Sequence, residues 1–247
     1  MKFRAVLRGS TIPRSWYNIV PDLPFKLPPL INSRTGYPVG PHDLEPFLTH
    51  ELIDQEMGTQ REVNIPPAVR EVFRGWRPTP LVRARGLEQA LDTPAMLFYK
   101  YEGRNPYGTH EANTAFPQAY YAARNRMKRL VTGTASAGWG AALAAACRRF
   151  GVECKVYLVR EVAQHNPRIR TLIELAGAQV VLSPSNQTRV GRQALSQVPD
   201  HPGTLGLAIS EAVEEAMEGH RTKCALPTVL NYVVLHQTIM GLEARGQ

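Results

Sequence analysis

Residues 129–159 read RLVTGTASAGWGAALAAACRRFGVECKVYLV, and this stretch decides the fold class. RLVTG (129–133) reads as a short strand and 138–150 as an Ala-rich helix. Gly151 suits the left-handed position past the helix end, and CKVYLV (154–159) is a second strand. That second strand is apolar almost without alternation, as in a parallel sheet covered on both faces. Strand, helix and strand in this order form a right-handed crossover unit. Working outward, PRIRTLIELAG (167–177) reads as a helix ended by Gly177, and QVVLS (179–183) as the next strand. Upstream, MLFYK (96–100) reads as a strand and 112–127 as a helix. Downstream, helices are expected at 187–197, 208–218 and 227–245. The expectation is an α/β protein, a parallel sheet flanked by helices in three layers.

The ends of the chain read differently. Residues 1–75 form a Pro-rich arm followed by helical patterns in THELIDQEMGT and PPAVREVFRGW, expected to pack on a body at 76–247. Trp16, Tyr17, Ile19, Val20, Leu23 and Phe25 make the arm too apolar for a free linker, so it is expected to be strapped across that body. At the other end, TVLNYVVLHQTIMGLEARGQ is a strongly apolar helix with no strand after it. The fold therefore reads as truncated before completion of a second domain, with this helix offered to a partner.

Composition narrows the function classes. The chain has 247 residues, 43% of them hydrophobic, and no apolar run that would span a membrane. The three cysteines, Cys147, Cys154 and Cys224, are odd in number and lack CxxC spacing. A disulfide framework or a zinc site is not expected, and reduced thiols suit a cytoplasmic protein. Net charge is +8, concentrated in residues 81–160, which hold 12 basic and 5 acidic side chains. Arg124, Arg126, Lys128 and Arg129 are the densest knot. No aromatics interleave with them, so they read as a solvated helix end or an anion pocket rather than a nucleic-acid surface.

Two loops hold the candidate chemistry. GTASAGWG (133–140) joins a strand to a helix. Its small residues let the backbone approach a ligand, and the N–H groups at the helix start favour a carboxylate or phosphate. A tight turn without a ligand would look the same, and neither a Walker A nor a GxGxxG pattern is present. YKYEGRNPYGTHEANTA (99–115) also lies between a strand and a helix, at the sheet edge where ligands gather in open α/β folds. Thr109 or His110 suits a helix cap, and His110 is a candidate general base. His42, His50 and Glu51 lack metal-ligand spacing, and Ser136 is not in a GxSxG elbow.

At these loops, and in WYNIVPDLP (16–24), TGYPVGPHDLEPF (35–47), WRPTPLVRARGLEQAL (76–91), ANTAFPQAYY (112–121), DHPGTLGLAISEAVE (200–214) and VLHQTIMGLEA (234–244), the sequence resembles the type-2 tryptophan synthase β-chains. These are pyridoxal-phosphate (PLP) enzymes of fold type II, which join L-serine to indole. The likeness extends over essentially the whole chain. It implies that Gly108–Asn113 is the family's GSHKxN loop, with His110 and Asn113 binding the cofactor. Glu111 then stands where the family's lysine forms a Schiff base with PLP. The likeness also implies that 133–140 is the family's ETGAGQWG loop. Gly133 then replaces a catalytic glutamate and Gly138 a glutamine. Thr134, Ala135, Ser136, Ala137, Gly138 and Trp139 are left as the substrate-carboxylate site. No GGGSN-like phosphate cup occurs in the sequence.

The implied protein keeps the scaffold but has lost covalent PLP attachment and the family's catalysis. The resemblance further implies an amino-acid substrate if the chain is active, and a homodimer or a tryptophan synthase α-like subunit as partner. No metal, membrane or nucleic-acid role is expected. The alternative is altered chemistry, with Glu111, His110 and Lys100 as a new acid–base set around a small anionic ligand.

Overall fold

The computed structural model describes residues 4–5, 12–32 and 35–247. Strands β1 (Arg4–Ala5) and β2 (Ser15–Tyr17) precede helices α1 (Pro41–Leu44) and α2 (His50–Met57), strand β3 (Glu62–Asn64) and helix α3 (Pro67–Phe73). Next come β4 (Leu81–Arg83), α4 (Arg85–Ala90), β5 (Phe98–Lys100) and α5 (Ala112–Arg124). The body continues with β6 (Arg129–Thr134), α6 (Ala137–Phe150), β7 (Glu153–Val159), α7 (Arg160–His165), α8 (Pro167–Ala176) and β8 (Gln179–Ser183). It ends with α9 (Arg189–Gln197), α10 (Leu205–Glu218), β9 (Thr222–Cys224) and α11 (Asn231–Gly246).

The main sheet is parallel, with strand order β8-β7-β6-β9. Side chains alternate across it. Leu130, Val156 and Leu158 point to one face and pack with Ala142, Leu143 and Ala146 of α6. Val131, Tyr157 and Val181 point to the other and pack with Ala208 and Ala212 of α10. The result is the expected three layers. Gly151 (φ 72°) and Gly177 (φ 112°) take the left-handed conformation that ends α6 and α8.

Several expectations need correction. The strand within MLFYK does not join the parallel sheet; β5 pairs antiparallel with β4 in a separate sheet of order β1-β4-β5. A strand not foreseen, β9, closes the parallel sheet beside β6. α11 packs one face on the body and leaves Asn231, Val234, Gly241 and Arg245 exposed on the other. It buries Tyr232, Val233, Leu235, His236 and Ile239 against α2, α5 and β2. The arm is anchored along 12–18: Ile12 and Asn18 are buried, β2 pairs with β3, and Trp16 is fully buried with its ring 4.4 Å from that of His236, whereas Ile19 and Phe25 are exposed.

The basic knot is largely paired. Arg129 binds Glu153 (2.7 Å) and Glu215 (3.3 Å), and Arg124 lies 3.9 Å from Glu51. The three cysteines are unbridged and buried. Among the described residues, no helix is long and apolar enough to cross a membrane, and no cluster of three potential metal ligands forms.

Candidate active site

Both loops singled out from the sequence lie at the carboxyl edge of the strands, and they touch. α6 starts at Ala137, so its first-turn N–H groups lack partners within the helix and face that edge. A Cβ placed on Gly138 would lie 3.1 Å from Thr109 Cβ, so the turn after β6 rests on the turn before α5. Thr109 is the hinge of the pair. Its hydroxyl donates to Glu111 Oε2 (2.9 Å) and accepts from the Glu111 backbone N–H (3.2 Å). Neither Thr109 nor His110 caps the helix; Glu111 itself is the N-cap residue, without a side-chain cap bond.

The two loops divide their residues as follows. Glu111 is half-buried, and this burial raises its carboxyl above the usual range, partly offset by the Thr109 bond and the nearby His110. His110 is exposed. Thr134 is buried and spends its hydroxyl on the turn, accepting from Ser136 N–H (3.0 Å) and donating to the Ser136 carbonyl (3.1 Å). Ala135 and Ser136 are exposed at the tip, and Ala137 and Gly138 are partly exposed. Trp139 turns inward: its indole N–H donates to Thr132 Oγ1 (2.8 Å) in the core. Only its backbone faces the loop.

Asn113 is fully buried and engaged at both ends of its amide. Its Oδ1 accepts from Arg77 (2.5 Å), and its Nδ2 donates to Glu102 Oε2 (3.1 Å) and Gln237 Oε1 (3.0 Å). It belongs to a buried ionic cluster that the sequence reading missed. Arg77 also pairs with Glu102 (2.6 Å) and Glu243 (2.8 Å). Lys100 pairs with Glu243 (2.9 Å) and donates to the Thr79 carbonyl (2.6 Å) and to Gln247 (2.7 Å). Burial lowers the Lys100 pKa despite that pairing. Lys100 is thus held by this cluster and does not pair with Glu111.

Gly133 has no room for a side chain. A Cβ there would lie 2.6 Å from the Ala208 carbonyl oxygen, and nearer still to Ala208 C and Ile209 N. The glycine lets the main chain of α10 rest directly on β6.

On the far side of α5, His236 is fully buried between Thr114 Oγ1 (2.9 Å to Nδ1) and Gln55 Oε1 (2.8 Å to Nε2). Gln55 donates to the Tyr121 hydroxyl (3.0 Å), and Gln118 donates to Thr114 (2.8 Å). Burial holds the imidazole down to a pKa of about 3.

A parallel sheet of this order, with two touching loops over its carboxyl edge, is the fold of the fold-type II PLP enzymes. Solved structures agree on the fold. The processed form of threonine deaminase isoform 2 from Solanum lycopersicum superposes with a TM-score of 0.54 at 16% identity, covering 100% of this chain and 55% of that one. A PLP-dependent aspartate racemase gives 0.53 at 19%, covering 74% and 53%. The family model described as "Pyridoxal-phosphate dependent enzyme" matches residues 72–225, and the chain belongs to that family.

Within it, the sequence is similar to tryptophan synthase beta chain 2 of Methanosarcina mazei, 47% identical over 99% of this chain and 55% of that one. The corresponding chain of Aeropyrum pernix is 49% identical over 100% and 56%, and that of Thermotoga maritima 45% over 100% and 58%. The chain spans about half the length of these curated relatives.

Proposed function

We propose that this chain is a tryptophan-synthase-β-like scaffold that holds small carboxylates at its loop pair but does not attach PLP covalently. One observation carries the reading. At the position of the family's lysine, Glu111 presents a carboxyl bonded to Thr109, and a carboxylate has no amine to form a Schiff base. The surroundings point the same way. Asn113, the other cofactor residue implied by the resemblance, is taken up by Arg77, Glu102 and Gln237. Gly133 lies under the α10 backbone, where a glutamate would not fit. The residues present therefore do not suit a covalently held cofactor. What they suit is an anion at the start of α6, with Glu111 kept protonated further up the pH scale by its burial.

The resemblance implies serine and indole as substrates and an α-like subunit or a second copy as partner. For this chain the proposal is that the scaffold role outlasts the catalysis. The test is to incubate the purified chain with PLP, reduce with borohydride, and map adducts by mass spectrometry. A full-length relative serves as the positive control. We expect no adduct on this chain. A stoichiometric adduct on any of its lysines would overturn the reading and name a new attachment point.

A further inference from the structure

We propose that the cavity between α2 and α5 is a second ligand site, and that it takes a free α-amino acid. The cavity has a volume of about 740 Å³ and is walled by elements distant in sequence: α2, β3, the start of α3 and the last turns of α5. It is separate from the loop pair. Glu111 precedes the first turn of α5 whereas Tyr121 lies ten residues on, roughly 15 Å along the helix at 1.5 Å per residue.

The lining has three parts. Tyr121, Gln55 and Ile65 form a buried floor, and Val63 and Tyr120 give an apolar wall. Charges sit at the rim. Asp54 is exposed and has no ion-pair partner among the described residues. Arg124 has one pairing there, the long 3.9 Å contact to Glu51, whose other oxygen accepts from Asn125 (2.6 Å). The rim therefore offers an unpaired carboxylate and a guanidinium with donors to spare.

The opposed charges select the ligand class. A simple anion would meet Asp54 and Glu51, and a simple cation would meet Arg124. A zwitterion satisfies both, with its ammonium on Asp54 and its carboxylate on Arg124. The floor adds a donor: Tyr121 accepts from Gln55, and its own hydroxyl proton has no protein acceptor among the described residues. The Tyr120 ring and Val63 suit an apolar side chain.

L-Phenylalanine is the probe, titrated calorimetrically, with N-acetyl-L-phenylalaninamide as the analogue lacking both charges. We expect saturable one-to-one binding of phenylalanine in excess acetate, which fills the loop pair, and none of the analogue. Asp54→Asn and Arg124→Gln should each weaken binding by about tenfold, the effect of one charge-assisted contact. Both side chains are exposed, so the variants should fold, as circular dichroism would verify. Glu111→Gln should leave the affinity unchanged. No saturable heat with phenylalanine, equal binding of the uncharged analogue, or loss of binding in Glu111→Gln with retention in Asp54→Asn would each overturn the proposal.

Discussion

Replacing Gly133 by alanine tests the close approach of α10 to β6. The added methyl would meet the Ala208 carbonyl oxygen at 2.6 Å, and main-chain atoms of Ala208 and Ile209 nearer still. None of these is the end of a flexible side chain, so relief requires moving α10 off β6. Overpacking of this kind costs about 1–3 kcal/mol, and a backbone neighbour puts it at the upper end, about 3 kcal/mol. For a chain of this size, 1 kcal/mol is worth about 2–4 °C, so Tm should fall by roughly 6–12 °C. Gly206→Ala is the matched control. It lies in the first turn of α10 with open space around it, and it should be neutral or stabilising by up to about 1 kcal/mol. Urea unfolding of the pair separates the two. Ala208→Gly should not rescue Gly133→Ala, because the obstruction is backbone rather than the Ala208 methyl. A Gly133→Ala chain within about 0.5 kcal/mol of the parent, the range of an ordinary surface change, would refute the contact. The same steric argument covers Gly133→Glu. Combining it with Glu111→Lys should give a poorly folded chain rather than a tryptophan-forming one.

Arg77→Met should cost about 3–5 kcal/mol in urea unfolding at neutral pH, because it leaves Glu102 and Glu243 buried without their shared cation; a loss under about 1 kcal/mol would show that the cluster is dispensable. His236 is neutral when folded, its pKa lowered from 6.5 to about 3. Stability is therefore full above about pH 6.5, and falls by ~1.4 kcal/mol per pH unit below it as the unfolded chain takes up the proton first. Between pH 6.5 and 5, a His236→Gln variant should escape a decline of about 2 kcal/mol that the parent suffers; parallel curves would disprove the assignment. Glu111 has the opposite sign. Its raised folded pKa means that stability present below its unfolded pKa is lost as pH rises through the folded value. Glu111→Gln should accordingly stabilise the chain at pH 7 more than at pH 4, and equal effects at both would refute the burial.

The parallel sheet was legible because RLVTG, CKVYLV and QVVLS are short apolar runs bounded by Gly, Pro and polar residues. β9 was not, because Thr222–Cys224 has no hydrophobic pattern and is a strand only by pairing with Arg129–Val131. The strand within MLFYK was legible but its sheet was not, since alternation along one strand says nothing of its neighbour's direction. In the site, the two loops were found from their polar density and small residues. Their contact through Thr109 and Gly138 needs the third dimension. The ionic cluster was invisible for the same reason: Arg77 lies 25 residues from Glu102 and 166 from Glu243. The packing of α11 was not legible because apolar composition marks a buried helix and an interface helix alike. Its buried His236 and Glu243 mark the packed face only once their partners are seen.

The row of side chains through His236 has a polarity. Gln118 can only give to Thr114, so the threonine proton points at Nδ1. Nε2 then holds the imidazole proton and points it at Gln55, which turns its amide nitrogen toward Tyr121. No member can reverse alone without setting two donors or two acceptors face to face. The row therefore behaves as one unit with a single orientation, because Gln118 is fixed in turn by the Leu226 backbone (2.8 and 3.1 Å). A polar change at the Tyr121 end meets a row that cannot turn, so it costs the Gln55–Tyr121 bond and leaves the Thr114 end as it was.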